Sequence, residues 1–111
     1  MKAWETQLKK GIAELCVLAA LGRDEAYGYE ILKRLAAAEN LAFSESTVYP
    51  LLARLTREGA VSVRSADSPT GPTRRYYRLT AEGVARLETM KEHWKQLSLQ
   101  LDRILDEAKG E

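Results

Sequence analysis

The chain has 111 residues, room for one domain with one modest core, and a composition of 45% hydrophobic and 30% charged residues excludes a disordered chain. No apolar run approaches the ~20 residues that a membrane helix needs, the start Met1-Lys2-Ala3-Trp4-Glu5 lacks a secretory signal, and the lone Cys16 excludes an internal disulfide, so a cytoplasmic location is expected. A net charge of +1 selects no partner by itself, but residues 44–79 carry six arginines against three acids, whereas residues 80–111 carry five basic residues against seven acids.

The first predicted helix runs roughly from Glu5 to Leu21, with Leu8, Ile12, Leu15, Leu18 and Ala19 recurring at helical spacing until Gly22-Arg23-Asp24 stops it. Cys16 lies in the apolar run Leu15-Cys16-Val17-Leu18 and reads as a buried thiol. A second, shorter helix follows from Tyr27, carried by Ile31, Leu32 and Leu35, with Gly28 near its start permitting close backbone packing. Ser44-Glu45-Ser46-Thr47 predicts the start of a third helix, because Ser and Thr oxygens cap free backbone N–H groups, and Gly59 supplies its left-handed stop. Val48, Leu51, Leu52 and Leu55 form the inner face of that helix; Ser46, Tyr49, Pro50, Ala53, Arg54 and Arg57 form the outer one, with a bend or tight turn expected at Pro50.

Val61-Ser62-Val63-Arg64 and the segment from Arg75 to Leu79 alternate with period two and predict a β-hairpin. The segment Ser65 to Pro72 between them is dense in turn formers and reads as a long, flexible tip. One of Tyr76 and Tyr77 must face the core. Thr80 caps a final helix expected over roughly 81–108. Its apolar set, Leu87, Met90, Trp94, Leu97, Leu101, Ile104 and Ala108, steps alternately by three and four, as in the seam of a coiled coil. A helix of about 28 residues spans ~42 Å, longer than so small a domain can cover. Left alone it exposes Trp94, Leu97, Leu101 and Ile104, and pairing with a second copy removes that patch.

Three helices closed by a two-stranded wing make an α+β, mainly α fold: a winged helix-turn-helix over residues 1–79 and a dimerisation helix over 80–111. Such a scaffold suits double-stranded DNA, since a helix enters the major groove and its early residues reach base edges. Ser46, Thr47, Tyr49 and Ala53 are the candidate groups where the groove is tight, Arg54 and Arg57 the phosphate contacts, and Arg64, Thr73, Arg74 and Arg75 the wing contacts. Two readings stand for Tyr49, base contact or packing against the wing. Two also stand for Trp94: plain core, or a platform on which a planar aromatic effector stacks between subunits, with Trp4, Leu8, Met90 and Leu97 around it. His93 is expected in solvent. The chain shows no nucleophile–base set, no metal-ligand spacing and no glycine-rich phosphate loop, so no enzyme, metal or cofactor is expected.

Taken together, Tyr27-Gly28-Tyr29-Glu30-Ile31-Leu32, Ser46-Thr47-Val48-Tyr49-Pro50-Leu51-Leu52-Ala53-Arg54-Leu55, Glu58-Gly59, Arg74-Arg75-Tyr76-Tyr77-Arg78-Leu79-Thr80 and Glu82-Gly83 resemble the PadR family of transcriptional regulators over nearly the whole chain. The resemblance implies a bacterial winged-helix homodimer, a repressor on an inverted-repeat operator of its own or a neighbouring operon, in the small subfamily with one C-terminal helix. It matches Ser44, Ser46, Thr47, Tyr49 and Arg54 to DNA-reading positions, Arg74 and Arg75 to the basic wing, and Trp94 to the place where drug-sensing members stack planar ligands. The tip from Asp67 to Thr73 departs from the shorter glycine-rich wing and carries an acid. Two rival classes are a winged-helix protein-interaction adaptor, which needs a more apolar third-helix face, and a ligand-sequestering dimer, which needs no arginines.

Overall fold

A computed structural model describes residues 2–110, so Met1 and Glu111, the outermost residues of the two expected segments, lie outside it. Helix α1 (Lys2–Ala20) serves two neighbours. Ala13, Cys16, Val17 and Leu18 are buried in the core, while Ile12 and Leu15 are half-buried and Leu8 is exposed on the side facing the last helix. Its last carbonyl, that of Ala20, accepts from Arg34 Nη1 at 2.8 Å, and the same nitrogen reaches the Asp24 carbonyl of the following loop at 3.3 Å.

Strand β1 (Ala26–Tyr27), helix α2 (Gly28–Ala36), a 3-10 turn (Glu39–Leu41), helix α3 (Glu45–Arg57), strands β2 (Val61–Ser68) and β3 (Gly71–Leu79), and helix α4 (Ala81–Gly110) follow. This is a winged helix with a longer sheet than expected. The strand order is β1-β3-β2, with Ala26 and Tyr27 opposite Tyr77 and Tyr76. Two residues are too few to display a period of two, so β1 is silent in the sequence. The expected long tip is also corrected: pairing continues to Ser68 opposite Gly71, leaving only Pro69-Thr70 to turn, with an irregularity at Asp67. The outer part of the wing is mostly exposed, so no apolar alternation marks it as strand.

The core gathers Val17, Leu18, Ile31, Val48, Leu52, Leu55 and Val61, all essentially without exposure, each worth about 1.5–3 kcal/mol of burial. Tyr77 joins it and Tyr76 does not. Gly59 ends α3 with a φ of 82°. The expected hydroxyl cap at the other end of α3 is not formed: Ser44 Oγ lies 2.8 Å from Ser46 Oγ, and it is the Ser44 carbonyl that accepts the N–H groups of Thr47 and Val48. Pro50 sits within α3 without ending it, since the carbonyl it leaves unbonded belongs to Ser46, an exposed residue.

Thr80 caps α4 as its sequence suggests. Its Oγ1 accepts the Gly83 N–H at 3.0 Å and donates to the Gly59 carbonyl at 2.6 Å, while its own N–H donates to the Ala60 carbonyl at 3.1 Å. The start of α4 is therefore pressed onto the turn after α3. Its next turns lean on α1, burying Leu87 and half-burying Met90. Leu87, expected in the dimer seam, is thus a core residue. Beyond Met90 the helix leaves the body, and Trp94, Leu97, Leu101 and Ile104 are 45% to 61% exposed. Among the described residues no helix is long and apolar enough to cross a membrane.

Gly83 is fixed by this arrangement, because a Cβ there would fall 2.0 Å from the Ala60 carbonyl oxygen. Gly83→Ala is expected to destabilise the chain by about 1–3 kcal/mol, read as a lowered urea midpoint. An unchanged midpoint would show that the α4 start is not held where it is placed here.

Candidate nucleic-acid interface

Helices α2 and α3, joined through the 3-10 turn, form the helix-turn-helix. The outward side of α3 carries Ser46, Tyr49, Pro50, Ala53 and Arg57, all exposed, with Ser44 exposed just before it and Thr47 half-buried. Tyr49 is 38% exposed and has Tyr77 of the wing strand nearby. Its ring crosses the start of α2, where a Cβ on Gly28 would lie 2.3 Å from Tyr49 Cε1. Gly28 thus gives the close approach read from the sequence, and one edge of Tyr49 stays exposed. Partial burial, then the nearby Glu45 and Tyr77, push its phenol above the ordinary pKa.

The wing sorts its arginines by strand alternation. Thr73 and Arg75 share a face of β3 with the core residue Tyr77, whereas Arg74, Tyr76 and Arg78 share the opposite face with Arg64, which pairs across from Tyr76. On that outer face Arg64 is bound in bidentate fashion by Glu25, with Nε donating to Oε2 at 3.0 Å and Nη2 to Oε1. Its guanidinium lies 4.8 Å from the Tyr76 ring centroid, and Arg74 lies 4.4 Å from that of Tyr27. Tyr27 and Tyr76 meet edge to face at 5.7 Å. The hydrogen bond from Arg64 holds the Glu25 carboxyl below its usual range, helped by the Arg64 and Arg78 charges. Thr73 Oγ1 is 3.5 Å from Asp67 Oδ1.

Arg54 is also engaged. Its Nη2 donates to Glu14 Oε1 at 2.8 Å and its Nη1 to Glu58 Oε2 at 3.0 Å, while Arg86 Nη1 reaches Glu58 Oε1 at 2.7 Å and Glu14 Oε2 at 3.2 Å. Two arginines expected on DNA, Arg54 and Arg64, are therefore occupied within the chain. Arg57 and Arg75 have no acidic partner among the described residues. Sequence reasoning missed Tyr29 and Lys33 on α2, both exposed, with Lys33 Nζ 5.5 Å from the Tyr29 centroid. Their i, i+4 spacing on the polar face of α2 was the available signal.

A groove of about 580 Å³ opens between α1 and α4. Leu8, Met90, Trp94 and Leu97 line it together with Ile12, Leu15 and His93. Trp4 lies one turn before Leu8 on α1, exposed and outside that lining. His93 is exposed on the groove wall, and Cys16 is buried with its thiol pKa raised by that burial.

The transcriptional regulator PadR-like family model matches residues 17–89. Among solved structures, a PadR family regulator from Eggerthella lenta is 30% identical, covering 94% of this chain and 90% of that one with a TM-score of 0.84. A PadR-like regulator from Bacillus cereus is 34% identical over 89% of this chain and 96% of that one, TM-score 0.79. PadR of Bacillus subtilis in complex with operator DNA is 26% identical, TM-score 0.66, covering 71% of this chain and 46% of that one.

The Glu58 carboxyl is held low by hydrogen bonds from Arg86 and then Arg54. Its contribution to stability is thus fully present above the ordinary value of 4.5 and lost as pH falls through the lowered one. Glu58→Gln should be less stable than the parent in urea at pH 7, and the two should converge as the pH drops below 4.5. A gap that stayed constant with pH would contradict the pairing.

Proposed function

Since this chain belongs to the PadR-like family of transcriptional regulators, its residues 17–89 matching the family model, we propose that it is a homodimeric repressor that occupies an inverted-repeat operator upstream of its own or a neighbouring operon. The observation that carries this reading is the outward side of α3: small polar groups, a tyrosine edge and Arg57, with Arg75 on the adjoining wing and no acid holding either arginine. Small groups fit where the major groove is tight, and unpaired guanidinium groups meet phosphates. The PadR structure solved with operator DNA supports the same reading.

Ser46, Thr47 and Tyr49 read base edges, with Ser44 at the entry. Arg57, Arg75, Thr73 and Arg74 contact the backbone, and Tyr29 and Lys33 of α2 brace a neighbouring phosphate. Arg54 and Arg64 act one step back, holding α3 and the wing in place. The dimer forms where α4 outruns its own body, through Trp94, Leu97, Leu101 and Ile104, with Met90 at the inner end. Two-fold symmetry then sets the reading helices about one turn of DNA apart. A planar aromatic effector enters the α1–α4 groove beside Trp94 and releases DNA by favouring a different tilt of the heads. An adaptor would present an apolar α3 surface, and the exposed side here is polar.

The test is a gel-shift against the DNA upstream of the chain's own gene, with a salt series. Affinity should fall steeply with salt, and Arg57→Ala with Arg75→Ala should reduce the slope of log K against log salt by about two in a dimer if each loses half its contacts, and by up to about four if all are lost. Arg64→Ala should change the slope far less. Unchanged affinity in the Arg57/Arg75 double variant would remove the proposed contact surface.

A further inference from the structure

Arg54, the two acids that hold it and Arg86 form a closed, charge-alternating ring across three helices. Glu14 comes from α1, Arg54 and Glu58 from α3 and its last turn, and Arg86 from α4. Both carboxylates bridge the two arginines: Glu14 uses Oε1 for Arg54 and Oε2 for Arg86, while Glu58 accepts from Arg54 Nη1 on both oxygens, at 3.0 Å on Oε2 and 3.2 Å on Oε1, and from Arg86 on Oε1. Arg54 spreads two nitrogens over the two acids, a planar fork that fixes direction as well as distance. The ring is 25% to 42% exposed, so each pair adds little to stability beside the apolar core beneath it. What it does add is orientation, because it joins the end of the reading helix directly to α4 above the hydrogen bonds at Thr80.

We propose that this ring fixes the angle between α3 and α4 and thereby sets the half-site spacing that the protein accepts, an inference that rests on the DNA-binding homodimer proposed above. The lever is long. From Arg86 to Ile104 the α4 arm measures ~27 Å, so a tilt of about 7° at the ring displaces its far end by ~3.4 Å, the rise of one base pair. Glu14, Glu58 and Arg86 are positioning residues for DNA reading: they act through Arg54 and touch no base or phosphate. Small shifts become discrete changes of register because operator half-sites are offered only at whole base-pair steps.

The experiment measures affinity for a set of operators whose half-site separation is lengthened or shortened by one and two base pairs. The wild-type chain, Glu14→Gln, Arg86→Gln and the contact variant Arg57→Ala are compared, with thermal unfolding of each as a check on folding. The wild type should favour one spacing over its two-base-pair neighbours by about tenfold or more, and Arg57→Ala should bind every spacing more weakly with the preference intact. Either ring variant, still folded, should flatten the preference to about threefold or less. Equal loss at every spacing in both ring variants would overturn the inference while leaving the DNA-binding reading in place. Absence of any operator binding by the wild type would overturn both.

Discussion

Helix α4 is longer than the body it grows from, and that mismatch constrains the rest of the molecule. The core ends at Leu87 and Met90, where α1 can still cover the seam. Past that point Trp94, Leu97, Leu101 and Ile104 continue at coiled-coil spacing; the first two line the groove against α1, and all four stay 45% to 61% exposed. The hydrophobic effect that folds the winged helix thus leaves an apolar stripe uncovered within one chain, and the proposed second copy would cover it. On this account the symmetry that DNA reading requires is a by-product of covering that stripe. The same geometry leaves a groove between α1 and α4, with Trp94 at its wall, at the place where two copies would meet.

The arginines divide into two kinds of work. Counted along the sequence, residues 44–79 look like a single basic surface. In space, half of that impression dissolves. Arg54 is answered by Glu14 and Glu58, Arg64 by Glu25, and Arg74 is drawn over the Tyr27 ring. Glu14 and Glu25 lie outside the window in which the charge was counted. A charge balance over sequence neighbours cannot see partners that arrive through the fold; among the described residues Arg57, Arg75 and Arg78 are the arginines of this window left without an acid or an aromatic ring. Engaging three of these arginines gives the reading head a rigid frame, and leaving the other three unpaired keeps it attractive to a polyanion.

Much of the fold was legible because it rests on local physics. The stripes of α2 and α3, the left-handed stop at Gly59, the Thr80 cap and the burial of one of Tyr76 and Tyr77 follow from periodicity and side-chain chemistry, whereas on α1 the spacing marked Leu8 and Ala19, which are exposed, and passed over Ala13 and Val17, which are buried. Strand β1 was not legible, since its two residues are defined only by the β3 edge they join. The reach of the wing was hidden because a strand exposed on both faces has no apolar alternation, and turn-forming residues there argued for a loop. Ser44 misled in a different way: its hydroxyl has a neighbouring hydroxyl, Ser46, as a competing partner. Leu87 obeys the seam spacing and still belongs to the core, because one heptad pattern runs through both environments.

The claim at the centre of this account, that α4 pairs two copies, is tested most directly by sedimentation equilibrium at the concentration where operator is bound. Pairing through α4 gives a single species at twice the 12.5 kDa chain mass, holding on dilution to that working range. A species at 12.5 kDa under those conditions would contradict it.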